Sequence, residues 1–184
     1  MSKLNERTVK IVGVPMDLGA SRRGTDLGPG ALRAAGIDSA LRHLGFEVGL
    51  QSDIHVPSCE SRQGFGDQSA RFAQEILQVC SDLSLSVEEI LNNDSTPLIL
   101  GGDHAIAMGT IAGIANHCAA KSKKFGVVWF DAHGDMNTPQ SSPTGNIHGM
   151  PLAHLLGIDG CSDAPCSIAN NSPTLSPENV ALVG

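Results

Sequence analysis

The chain has 184 residues, of which 41% are hydrophobic and 3% aromatic, with a formal net charge of −7. That length supports one domain with a sizeable core. The acidic balance argues against a nucleic-acid surface, and no apolar run approaches the roughly 20 residues of a membrane-spanning helix.

In chain order, Thr8 to Val14 is rich in β-branched residues and reads as a first strand. A glycine-dotted loop follows to Gly28. Pro29 suits the first turn of a helix, where its missing N–H is not needed, and that helix is expected to run to His43 and end at Gly45. Phe46 to Val56 reads as a second strand and Ser58 to Gly66 as a loop. Phe72, Ile76, Cys80, Leu83, Val87 and Ile90 recur at three- and four-residue steps, which predicts an amphipathic helix broken after Asn92. Pro97 to Leu100 is a third strand, followed by Gly101-Gly102-Asp103-His104 and a helix to about His117. Phe125 to Phe130 is a fourth strand. A polar loop, a helix from about Ile147 to Leu156, an irregular stretch from Gly157 to Pro177 and an apolar strand from Asn179 complete the chain. Strands alternating with helices predict an α/β fold, a three-layer α/β/α arrangement around a mostly parallel sheet, in a single domain over residues 1–184. Cys59, Cys80, Cys118, Cys161 and Cys166 form no CxxC pair. A reducing, cytoplasmic setting is expected, and Met1 to Lys10 has no secretory character.

Two strand ends carry the chemistry. Gly101-Gly102-Asp103-His104 follows strand three, and Asp131-Ala132-His133-Gly134-Asp135 follows strand four. Ligands collect at the carboxyl ends of parallel strands, and ionised carboxylates emerging from a buried strand need a partner. A divalent cation is the simplest one. Imidazole and carboxylate without thiolate favour a hard or borderline ion such as Mn²⁺, with Fe²⁺, Co²⁺ and Zn²⁺ as alternatives. The expected ligands are His104, Asp131, His133 and Asp135, and one aspartate can bridge two ions. Asp103 is read as the N-cap of the following helix rather than a ligand. His43, His55, His117 and His154 are read as surface residues without partners. The polar segment from Asn137 to Met150 is read as a substrate rim whose amides and hydroxyls could hold a carboxylate.

These motifs, together with Gly24-Thr25-Asp26-Leu27-Gly28-Pro29 and Gly145-Asn146-Ile147-His148-Gly149-Met150-Pro151, resemble the arginase family of ureohydrolases along essentially the whole chain. The resemblance implies the arginase-like α/β/α fold and a pair of Mn²⁺ ions. His104 and Asp135 would serve one ion, His133 the other, and Asp131 both. It also implies Asp135 as proton carrier and His148 as outer proton shuttle. Asn137, Ser142 and Thr144 would contact the α-carboxylate of L-arginine, giving ornithine and urea as products. The alternatives are another ureohydrolase, such as an agmatinase or guanidinobutyrase, and a non-catalytic fragment. A homo-oligomer, trimeric or hexameric, is expected of the complete chain. No nucleic-acid or membrane partner is expected.

The family carries a further Asp-x-Asp pair on a later strand, and acidic residues for the α-amino and guanidinium groups, none of which lies within residues 1–184. The chain is therefore expected to be incomplete at its C-terminal side, to bind Mn²⁺ weakly and to turn over little arginine alone. The family's last two strands also sit between strands three and four, so here the two motif-bearing strands are expected not to pair.

Overall fold

The computed structural model describes residues 8–59, 66–158 and 174–184. Its strands are β1 (Thr8–Val14), β2 (Glu47–Leu50), β3 (Thr96–Gly101), β4 (Val127–Phe130) and β5 (Val180–Val183). Its α-helices are α1 (Gly28–Ala34), α2 (Ile37–His43), α3 (Ala73–Asn92), α4 (Ile106–Ala120) and α5 (Pro151–Leu155).

All strand pairings are parallel. One sheet has the order β2-β1-β3, with Ile11 paired to Leu50 on one side and Leu98 on the other. The second is the pair β4-β5, with Val128 opposite Ala181. β3 and β4 are thus not paired, as the resemblance implies. Parallel strands need crossover connections, and helices supply them. β1 is covered on both faces: Val12 and Val14 point into the cluster around α3, while Ile11, on the opposite face of the pleat, is buried as well.

The stripe foreseen on α3 is the core. Ile76, Cys80, Leu83, Val87 and Ile90 are buried against β1 and α4, each contributing about 1.5–3 kcal/mol relative to exposure. α4 is apolar all round because it lies between two cores. Met108 joins the α3 side, and Ile111 joins Trp129, Leu152, Leu155 and Leu175 on the other. The two helices approach closely at Gly113, where a Cβ would come within 2.4 Å of the Ser84 carbonyl oxygen.

The structure corrects several expectations. The helix from Pro29 to His43 is two helices, because Gly36 takes a left-handed φ of 85° between them. The second strand stops at Leu50. Beyond it Asp53 turns inward to accept the Gly13 N–H (2.9 Å) and a paired contact from Arg33 at 2.7 and 2.5 Å. The helix from Ile147 splits into a 3-10 turn (Ile147–Gly149) and α5, which starts at Pro151. His117 is buried and bonds Asn92 Oδ1 at 2.8 Å, His43 bonds the Ser39 carbonyl, and burial pushes the pKa of His154 down. The stretch from Gly157 to Pro177 lies mostly outside the described residues, as does much of the loop from Ser58 to Gly66, and so do Cys161 and Cys166. Cys59, Cys80 and Cys118 are free thiols.

Candidate metal centre

The ends of β3 and β4 bring three of the four expected ligands together. Gly102 lets the chain leave β3 at once. Its φ is 68°, and a Cβ there would sit 2.5 Å from the Val14 carbonyl oxygen. His104 then projects toward the end of β4. Its Nδ1 lies 2.6 Å from Asp135 Oδ2 and 3.0 Å from Asp131 Oδ2. Donor atoms of His104, Asp131 and Asp135 all fall within 4.8 Å of one another. The Trp129 ring packs against the His104 imidazole with centroids 4.6 Å apart. Trp129 was read only as strand residue, and nothing in its apolar run marks it as the wall of a site.

Asp135 is fixed by its backbone. It adopts φ 47°, uncommon for a residue with a side chain. Its carbonyl accepts the N–H groups of Leu152 (3.0 Å) and Ala153 (3.3 Å), donors otherwise orphaned at the start of α5. The carboxylate is therefore buried and aimed. Asp131 is held by its other oxygen, which accepts the His133 N–H at 2.9 Å and faces His133 Nδ1 at 3.1 Å. The His133 amide, then its ring, keep the Asp131 carboxyl below its ordinary pKa and so ionised at neutral pH. His133 itself stands outside the cluster, with its side chain 81% exposed. It touches Asp131 on the side away from His104.

Asp103 is neither ligand nor N-cap. The N-cap of α4 is Ala105. Asp103 is buried, accepts the Ala105 N–H on Oδ1 (2.9 Å) and reaches back to the Gly19 N–H with Oδ2 (2.8 Å). Burial pushes its pKa up, against the two amide bonds.

The cluster opens into a cleft of about 660 Å³ lined by His104, Asp131, His133, Asp135, Asn137 and His148, with Met136 and two glycines. His148 sits in the 3-10 turn before α5, its N–H bonded to the Gly19 carbonyl at 3.1 Å. Ser142 and Thr144 do not line the cleft. Their hydroxyls accept the N–H groups of Gly145 (3.0 Å) and Asn146 (3.2 Å) within the loop.

Two carboxylates and one imidazole nitrogen converging on one point, beside an open cleft, suit a divalent cation. Asp131 and Asp135 would repel each other there without a positive charge between them. The donors are oxygen and imidazole nitrogen with no sulfur, the set preferred by hard and borderline ions. The three residues fit such an ion, and His133 stands beside Asp131 Oδ1, the oxygen turned away from His104.

Fold and site together define a parallel α/β protein with an Asp/His cluster at its strand ends. Residues 7–184 match the Arginase family, and the chain belongs to that family. It is 42% identical over 178 residues to an arginase of Bacillus caldovelox, across 97% of this chain and 58% of the relative. The native structure of the B. caldovelox arginase at pH 5.6 superposes with a TM-score of 0.84 at 41% identity, covering 96% of this chain and 57% of that one. The Entamoeba histolytica arginase in complex with L-ornithine gives 0.83 at 33% identity, covering 98% and 59%. The chain therefore spans a little over half the length of the relatives it matches. Among the described residues no helix is long and apolar enough to cross a membrane.

Proposed function

We propose that this chain carries much of a manganese-dependent ureohydrolase site that hydrolyses the guanidinium of L-arginine to ornithine and urea. The convergence of His104, Asp131 and Asp135 supports this reading most directly. Mn²⁺ is the proposed ion, two per complete site. His104, Asp131 and Asp135 would hold one, and His133 with Asp131 would contribute to the other. Bound there, the cations would lower the pKa of water enough to supply a nucleophile at neutral pH.

The chain's own groups then have defined tasks. His104 must present Nδ1 as a lone pair, which requires the neutral ring. Asp135, fixed by α5, would take a proton and return it to the departing amine, the general-acid step that C–N cleavage requires. His148, on the cleft wall, would pass protons between this point and solvent. The side-chain Nδ2 of Asn137, whose Oδ1 accepts from Ser141 Oγ at 3.2 Å, is left to donate to a substrate carboxylate. Ser142 and Thr144 would join it through their hydroxyl hydrogens, since a hydroxyl that accepts an N–H can still donate.

One observation favours a second reading. Ser142 and Thr144 lie off the cleft and are engaged within their own loop. A substrate lacking the α-carboxylate, such as agmatine, would not need them, which suits an agmatinase or guanidinobutyrase. Urea release from arginine against agmatine by the complete chain, with Mn²⁺ added, separates the two. Arginine preference lost in Asn137→Ala supports the first reading, and agmatine preference overturns it. Isothermal titration with Mn²⁺ tests the site itself: weak binding that disappears in Asp131→Asn is expected, and binding unchanged by that variant removes the basis of the proposal. A single domain, a cytoplasmic setting and a homo-oligomer, trimeric or hexameric, belong to the same proposal; the free Cys59, Cys80 and Cys118 suit a reducing compartment.

A further inference from the structure

We propose that Asp103 is a positioning residue that fixes the spacing of His104 and His148 through the backbone of the single residue Gly19. The roles of the two histidines rest on the reading above; the linkage between them does not.

The segment from Met16 to Thr25 was singled out in the sequence only as a glycine-dotted loop, yet it touches both sides of the cleft. On the His104 side, the Asp103 N–H donates to the Met16 carbonyl at 2.8 Å and the Gly102 N–H to the Thr25 carbonyl at 3.3 Å. On the His148 side, Ser21 Oγ donates to Asn146 Oδ1 at 2.8 Å. Gly19 is where the two sides meet. Its N–H donates to Asp103 Oδ2 at 2.8 Å, and its carbonyl accepts the His148 N–H at 3.1 Å. His104 follows Asp103 directly in the chain. One carboxylate and the backbone of one residue thus span from His104 to His148.

The residue type follows from the geometry. Asp103 is 4% exposed and faces two buried N–H donors, Gly19 and Ala105, one on each oxygen. Only a carboxylate offers two acceptor oxygens on so short a stem. Asparagine would satisfy one donor and turn its own NH₂ against the other, leaving a buried group unpaired. Gly19 is constrained in the same way, because a Cβ there would lie 2.7 Å from Asp103 Oδ1. Asp103 does not line the cleft, so it acts on the site through its neighbours and touches no substrate.

The test uses the full chain uniformly labelled with ¹³C and ¹⁵N, and needs neither metal nor turnover, so its failure is distinct from failure of the hydrolase reading. Through-bond coupling between the Gly19 nitrogen and the Asp103 carboxyl carbon is expected in the unaltered protein, and its absence overturns the proposal without any variant. In Asp103→Asn and, independently, Gly19→Ala, the backbone amide at position 19 is expected to exchange about tenfold faster, the loss of one net hydrogen bond. The His148 ring resonances should move in both variants, while those of His117, in the α3–α4 core, and His43, on α2, stay in place. A His148 signal unmoved in either variant overturns the linkage. Movement of His117 together with His148 overturns it too, because the carboxylate would then support the fold as a whole. Ser21→Ala, which removes a different contact of the same loop, should leave the Asp103–Gly19 coupling intact; its loss there would show that the loop and not the carboxylate sets the spacing.

Discussion

The two sheets are built from similar residues and end up in different surroundings. In β2-β1-β3, Val12 and Val14 are wholly buried and both faces of β1 are covered. In β4-β5 only one face is. Trp129 is buried with Leu152, Leu155 and Leu175, but Val128 and Phe130, on the alternate face, are 61% and 77% exposed, and Leu182 and Val183 are also exposed. Strands apolar on both faces are normal in parallel sheets because both faces are normally covered. The run Val127-Val128-Trp129-Phe130 therefore has the character of a central strand and the exposure of a peripheral one. The candidate metal cluster straddles the divide, with His104 from the covered side and Asp131 and Asp135 from the half-covered side.

The strongest way to break this contrast is a matched pair of truncations. Leu83→Ala in the α3 core should destabilise by about 2–5 kcal/mol, the cost of removing a fully buried leucine. Phe130→Ala should change stability by no more than about 0.5 kcal/mol, as for an exposed site, while lowering any tendency to associate through that face. Urea unfolding of both variants measures the difference. Equal losses would mean that the Phe130 face is covered in solution.

A smaller effect sharpens the contrast by bridging it. A cation bound between His104 and the two aspartates would stabilise only the folded arrangement. Mn²⁺ at a hundredfold its dissociation constant should therefore add about 2.7 kcal/mol. The gain should appear as slowed amide exchange in β4 as well as β3, because the ligands come from both. Asp131→Asn should abolish it. Protection gained in β3 alone would show that the two sides are not joined at the site.

The same contrast governs what could be read from the residues beforehand. Strand and helix order was legible because burial writes period into the sequence: the steps from Ile76 to Ile90 mark one helix face, and the motif glycines mark where chains leave strands. The placement of His104, Asp131 and Asp135 was legible for a related reason, since acids at the ends of buried strands have few structural uses. What escaped was set by contacts between segments distant in sequence. Asp53 ends the second strand early by turning to Gly13 and Arg33, 40 and 20 residues away. Asp103 has the local look of a helix cap, and only the approach of Gly19, 84 residues upstream, gives it another task. His117 looked like a surface residue until Asn92 came beside it. Ser142 and Thr144 sit in a loop whose own turns use their hydroxyls, which no spacing rule could show.

The smallest effect tests the covered side by itself. Hydrogen bonds from Arg33 hold the Asp53 carboxyl below its ordinary pKa, aided by the Gly13 amide and opposed by burial. A carboxyl whose folded pKa is depressed stabilises the fold above its unfolded value, near 3.9, and that contribution is lost as pH falls through the folded value. Both side chains are partly exposed, 33% for Arg33 and 43% for Asp53, so solvent screens the pair to less than about 1 kcal/mol. Arg33→Ala should thus be slightly less stable than the parent at pH 7, with the gap closing as pH falls below the ordinary carboxylate range and in 1 M salt, where charges are screened within roughly 3 Å. Urea midpoints across that pH range measure it. A gap that persists at low pH and high salt would assign the effect to the aliphatic stem of Arg33 packed over the α1–β1 surface and not to its charge.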